Sequence, residues 1–216
     1  MSDALKKGGK PNFFYRPEDQ KNALHIASEN GYSEILDLLL ENGAAVDSRV
    51  GSSHSTALIL AAESAHLECV KKLIKAGASI DAVNGYGNSA LHVSCRNGHK
   101  DIVSLLLQNN ANVNLQNKKG STPLHFSCYS DTPLTDIVST LLNTGADIEK
   151  RDNMELTPLL ACCKAGHSSV LNLLLSKGAD PHTVDSTNAN AISICDFHGH
   201  ANLKKILLDS PNQRFH

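Results

Sequence analysis

A four-residue signature recurs six times along this chain: Asn22-Ala23-Leu24-His25, Thr56-Ala57-Leu58-Ile59, Ser89-Ala90-Leu91-His92, Thr122-Pro123-Leu124-His125, Thr157-Pro158-Leu159-Leu160 and Asn190-Ala191-Ile192-Ser193. Successive copies begin 34, 33, 33, 35 and 33 residues apart. A period of that length dictates a fold of small, stacked, repeated units, and it takes precedence over any reading of single segments.

Each copy follows one local grammar. A Ser, Thr or Asn side chain caps the free N–H groups of a helix start, and Pro123 and Pro158 fit the first helical turn that follows. A short helix of apolar and small residues comes next, ending near Asn30-Gly31, Asn97-Gly98 or Ala165-Gly166. A second helix carries apolar residues in helical register: Ile35, Leu36, Leu39 and Leu40, then Ile102, Val103, Leu106 and Leu107, then Val170, Leu171, Leu174 and Leu175. It stops at Gly43-Ala44, Gly77-Ala78, Gly145-Ala146 and Gly178-Ala179, where Gly supplies a left-handed C-terminal cap. A polar finger with turn residues, such as Asn84-Gly85-Tyr86-Gly87, returns the chain to the next cap.

The Thr-Pro-Leu-His and Gly-Ala-Asp signatures, jointly periodic, closely resemble those of the ankyrin repeat family. The resemblance implies an all-α fold, a solenoid of six helix-turn-helix units joined by β-turn or hairpin fingers and stacked into a curved slab. The expected repeat domain runs over 17–210, with repeats starting near 18, 52, 85, 118, 153 and 186. Residues 1–16 and 211–216 are read as flexible tails. The sixth repeat departs from the signature at Ser193 and Asp196, and Lys204, Lys205 and Asp209 give it the polar outer face of a capping repeat. The finger after Gly43 is one residue longer than the others, and repeat four carries two extra residues around Ser130–Pro133. Loop insertions cost little, so both read as drift or as partner-specific bumps.

Composition narrows the function classes. Lys and Arg total 20 against 22 Asp and Glu, so the concentrated basic face that nucleic acid requires is not expected. No apolar run reaches the roughly 18 residues of a membrane span or resembles a signal peptide, and neither a membrane nor a nucleic-acid partner is expected. Aromatic residues at 4%, with no Trp, suit thin layers of Leu, Ile, Val and Ala better than one large core. Six cysteines without a secretory signal point to free thiols in a reducing compartment, hence to cytoplasm or nucleus.

Eleven histidines and six cysteines invite a metal site, but their register explains most of them. His25, His92 and His125 share the fourth position of the signature; in the family that imidazole resembles a strut to neighbouring finger backbone. His66, His99, His167 and His200 all open the second helix. Cys95, Cys128, Cys162, Cys163 and Cys195 stand where other copies place Ala27, Ser28, Ala61 and Ala62, as small apolar fillers. Cys69 takes the place of Ile35 and Ile102. No Cys-x-x-Cys pair, Gly-rich phosphate loop, Gly-x-Ser-x-Gly or His-Glu-x-x-His motif occurs, so no metal, no cofactor and no catalytic residue is expected.

Partners of the family usually lie against the finger tips and the exposed side of the first helices. Carried onto this chain, those positions include Glu18, Asp19, Lys21 and Glu29 in repeat one, and Ser52, Ser53 and Glu63 in repeat two. Repeats three to five place there Tyr86, Arg96, Lys118, Lys119, Tyr129, Met154, Leu156 and Lys164, with Phe197 and His198 in the last repeat. Tyr and Arg are enriched at interface hot spots, so the set from Tyr86 to Lys164 is the candidate protein-binding site. The expected function is a stand-alone interaction module: an adaptor, inhibitor or assembly factor, monomeric, for a protein presenting acidic and apolar side chains. The alternative is a regulatory or targeting subunit whose activity resides in its partner. Asn114 loosely resembles the asparagine that ankyrin hydroxylases modify, although Asn112 replaces the acidic residue common just before it. Phe13-Phe14-Tyr15 reads either as a cover over the open end of repeat one or as a short linear motif.

Overall fold

The computed structural model describes residues 14–16, 21–51 and 53–209. Within them lie six helix pairs. They are α1 (Ala23–Glu29) with α2 (Ser33–Glu41), α3 (Ala57–Glu63) with α4 (Leu67–Lys75), and α5 (Ala90–Asn97) with α6 (Lys100–Gln108). The remaining pairs are α7 (Pro123–Cys128) with α8 (Thr135–Asn143), α9 (Pro158–Ala165) with α10 (Ser168–Ser176), and α11 (Ala191–His198) with α12 (Ala201–Asp209). The fold is all-α, as the periodicity implies. One small antiparallel sheet accompanies it, β1 (Phe14–Arg16) pairing with β2 (Lys21–Asn22) ahead of α1. The expectations for the side chains of Phe13, Phe14 and Tyr15, and for Glu18, Asp19 and Ser52, lie outside the described residues.

The described residues through Ser94 and those of Asp101–Asn112 form one compact unit; Cys95–Lys100 and the residues from Val113 onward form the other. Within each, first helices pack on first helices and second on second: α1 on α3 and α2 on α4 in one unit, α7 on α9 on α11 and α8 on α10 on α12 in the other. The buried face of every second helix follows the sequence register. Leu36 and Leu39, Val103 and Leu106, and Val170, Leu171 and Leu174 are wholly buried. Their flanking partners Ile35, Leu40, Leu107 and Leu175 are half-buried.

Helix ends obey the capping expectation. Asn22, Thr56, Thr157 and Asn190 each accept a hydrogen bond from the backbone N–H three residues on. At α7 the cap works in reverse as well: the Thr122 backbone N–H donates to His125 Nδ1 at 3.2 Å. That bond makes Nδ1 an acceptor, so the proton sits on Nε2, which donates to the carbonyl of Leu156 at 2.9 Å. His25 Nε2 likewise meets the Ser48 carbonyl at 2.8 Å. At His25 the Nδ1 faces Asn22 Oδ1 at 2.6 Å instead, so the hydrogen bonds define a neutral strut from a first helix to the following finger at His125.

The second set of histidines does something the sequence reading did not specify. His66, His167 and His200 precede the second helices, and each Nε2 reaches a carbonyl at or just past the end of the first helix one repeat earlier: Glu29 O (3.0 Å), Ser130 O (2.7 Å) and Lys164 O (3.2 Å). Gly31 and Gly166 make room for the rings. A Cβ on Gly166, whose φ is +82°, would lie 2.6 Å from His200 Cε1. In repeat four the two extra residues put Leu134 at this position, and its side chain instead covers Gly98.

All six cysteines are buried and unbridged. Burial pushes the Cys95 and Cys162 thiols up to about 12, so both stay protonated at neutral pH. Ser28 is the exception among these small fillers: its hydroxyl is buried with no hydrogen-bond partner among the described residues.

Burial holds His25 and His125 below the ordinary imidazole value near 6.5. The unfolded chain then binds more protons than the folded one once pH drops to that value, so their contribution is complete above it and is lost on acidification. Melting temperature is expected to fall between pH 7.5 and 5. In His125→Leu, which gives repeat four the residue that repeat five already has at Leu160, that decline should be shallower. An unchanged pH profile in the variant would contradict the neutral-strut assignment.

Candidate protein-binding site

The fingers of repeats three to six share a device that fixes their tips. Asn84, Asn117, Asp152 and Asp185 each sit five residues before a helix cap and clamp two backbone N–H groups with one side-chain oxygen. Asn84 accepts from Tyr86 and Asn88, and Asn117 from Lys119 and Ser121. Asp152 accepts from Met154 and Leu156, and Asp185 from Thr187 and Ala189. Such Asx clamps hold a turn without help from the residues they display. Neighbouring fingers of the second unit are also tied through backbone, Asn153 N to Lys119 O and Ser186 N to Met154 O, both at 2.9 Å. Asn153 Nδ2 adds a bond to Lys118 O at 3.0 Å.

These ties leave the tip side chains free. Lys118 and Lys119 are exposed, and Met154 is 51% exposed. At the ends of the first helices, Arg96 and Tyr129 are exposed and Lys164 is half-buried. All of these lie in the second unit. Tyr86 is 67% exposed on a finger of the first unit and is a separate feature. The histidine struts matter here, because Ser130 O and Lys164 O, which they bind, belong to the helix ends that carry Tyr129 and Lys164.

Leu156 is a correction. The sequence reading displays it to a partner, yet it is 1% exposed, and its backbone is occupied by Asp152 on the finger and by His125. The residue just before the cap turns inward in repeats two, four and five, as Ser55 at 3% and Ser121 at 6% also show. Phe197 is the opposite case. The register puts it on the surface but outside the set from Tyr86 to Lys164, and at 86% it is the most exposed large apolar side chain among the described residues. Its place seven residues after the Asn190 cap, equivalent to Tyr129, was the signal that could have included it.

Arg96, Lys118, Lys119 and Lys164 form no ion pair with another described residue. Asp152 and Asp185 sit in their clamps, Asp196 is paired with Lys204 at 2.8 Å and Glu155 with Arg151 at 3.3 Å. Against burial, bonds from Thr187 and Ala189 and the charge of Lys164 hold the Asp185 carboxyl below its ordinary value. Burial, then the nearby Asp152 carboxylate, pushes the Tyr129 phenol well above its ordinary value, so it stays neutral. In the first unit the equivalent helix end carries Glu29, bound to Lys21 at 2.7 Å. Among the described residues no three or more His, Cys, Asp or Glu side chains converge in a way that could hold a metal ion. No helix among them is long and apolar enough to cross a membrane.

Comparison with known families agrees with this architecture. The family model described as ankyrin repeats (3 copies) matches residues 3–84, 79–152, 109–185 and 135–215. The chain belongs to the ankyrin-repeat family, whose repeats generally mediate protein–protein interaction and are typically non-catalytic. No curated protein matches the sequence.

The clamp geometry singles out Gly120. A Cβ there would stand 2.5 Å from Asn153 Oδ1 and 2.7 Å from Asn153 N, whereas at Gly145 nothing lies within 4 Å. Both have left-handed φ, +74° and +93°, so Ala at either site should cost about 1–2 kcal/mol from backbone strain. Gly120→Ala should cost more than Gly145→Ala in urea denaturation, because it also pries the two fingers apart. Equal losses would contradict the tie between them.

Proposed function

We propose that this protein is an interaction module, an adaptor, inhibitor or assembly factor, and that the second unit displays its principal binding surface. The partner presents acidic and apolar side chains to Arg96, Lys118, Lys119, Tyr129, Met154, Lys164 and Phe197. One observation carries the reading: four cations outside any salt bridge accompany Tyr129, Met154 and Phe197, which are 37%, 51% and 86% exposed. Cations and large apolar groups displayed at a surface gain their use from an interface, where both are frequent anchors. Tyr86 extends the candidate set to the first unit as a second contact. On this reading the protein resides where its thiols stay reduced, in cytoplasm or nucleus.

The test is affinity capture from lysate with wild type and with an Arg96→Ala, Tyr129→Ala, Lys164→Ala variant of matched circular dichroism. A partner retained by wild type and lost by the variant is expected. An enzymatic activity that co-purifies only with wild type would assign the protein as a regulatory subunit. Identical captures would overturn the surface.

A further inference from the structure

The two extra residues of repeat four lie in the crossing between α7, which ends at Cys128, and α8, which begins at Thr135. The crossing is anchored on both sides. Ser130 is 5% exposed, and its hydroxyl shares its proton between the carbonyl of Ser127, at 2.9 Å, and that of Thr132. His167 holds the Ser130 carbonyl. Leu134 lies over Gly98, just past the helix end that carries Arg96: a Cβ on Gly98 would stand 3.1 Å from Leu134 Cδ2.

Between these anchors Asp131, Thr132 and Pro133 are exposed, and the Thr132 hydroxyl meets no partner among the described residues. Pro133 disfavours helical backbone at the residue before it, which keeps Thr132 out of α8.

Thr-Pro occurs three times among the described residues, and the other two copies are closed to an enzyme. Thr122 is 1% exposed and its hydroxyl bonds His125 Nδ1 at 2.9 Å. Thr157 is 0% exposed and its hydroxyl accepts the Leu160 N–H at 3.4 Å. Both threonines cap helices. A phosphoryl acceptor has to be brought in line with the γ-phosphate of ATP, which a buried cap cannot do without unfolding its repeat.

We propose that Thr132 is the acceptor for a proline-directed protein kinase, one that reads the proline after the threonine, and that its phosphate weakens the hold on the partner. The second half rests on the binding surface proposed above. Thr132 Oγ1 attacks the γ-phosphorus, the bond to the β-phosphate oxygen breaks, ADP leaves, and the hydroxyl proton passes to the kinase's catalytic carboxylate. The phosphate adds a charge of about −1.5 to −2 at neutral pH. It does so three residues from Tyr129 and beside Asp131, where it repels the acidic groups of a partner.

The experiment incubates the full chain with magnesium ATP and purified kinases of the mitogen-activated and cyclin-dependent classes, and maps phosphate by tandem mass spectrometry. Phosphate is expected on Thr132 and on neither Thr122 nor Thr157. Its absence from Thr132 with all of these kinases would overturn the acceptor. Pro133→Ala should slow transfer by about tenfold or more, and an unchanged rate would overturn the kinase class. Affinity capture then compares the phosphorylated chain with Thr132→Ala taken through the same reaction. A partner that the Arg96→Ala, Tyr129→Ala, Lys164→Ala variant loses should be recovered about tenfold less by the phosphorylated chain. Equal recovery would overturn the effect on binding and leave the surface standing. A partner that the triple variant still captures would overturn the surface and leave Thr132 as the acceptor.

Discussion

No helix here can sustain itself. The described helices run from six to nine residues, below the length at which an isolated helix is stable in water. Each repeat has one apolar face that only the next repeat can cover, so stability in each unit resides in the layer-to-layer contacts. The two histidine ladders belong to that dependence. One joins a first helix to the following finger, and the other joins a second-helix start to the preceding first-helix end. Polar side chains thereby set the register that the apolar layers alone would leave free to slide.

This division of labour explains why the display surface can vary. The cap, the clamp five residues before it, the glycine beneath the ring and the imidazole above it carry the geometry of a repeat. The side chains of Arg96, Lys118, Lys119 and Met154, at finger tips and first-helix ends, make none of those bonds. Glu29 and Phe197 occupy the same register position at opposite ends of the chain, and neither disturbs its helix. A cation or an exposed ring at such a position is consequently informative about recognition in a way that a buried leucine is not.

The helix pairs, the buried register of Leu36, Leu106 and Leu174, and the filler role of the cysteines were legible because periodicity reports burial directly. The finger interior was less so. Leu156 was placed outside because its position was carried over by analogy, whereas its backbone is required on the inner side to close the turn and receive His125. The Asx clamps were visible in principle, since Asn84, Asn117, Asp152 and Asp185 recur 33, 35 and 33 residues apart. Their polarity made them look like ordinary loop residues. The reach of His66, His167 and His200 to the preceding repeat was not legible, because a sequence offset does not state which neighbour a ring will face. Nor did it disclose that Asp185 and Asp196, around Lys164 and Phe197, are bound by Thr187, Ala189 and Lys204.

The central claim is that the finger and first-helix side of the second unit meets the partner. Site-specific photo-crosslinking tests it most directly, with p-benzoylphenylalanine placed at position 129, at position 197 and, as a control, at position 172, which is exposed on α10. The account predicts adducts to one and the same partner from positions 129 and 197 and none from position 172. Adducts from position 172 with none from the other two would place recognition on another face and contradict it.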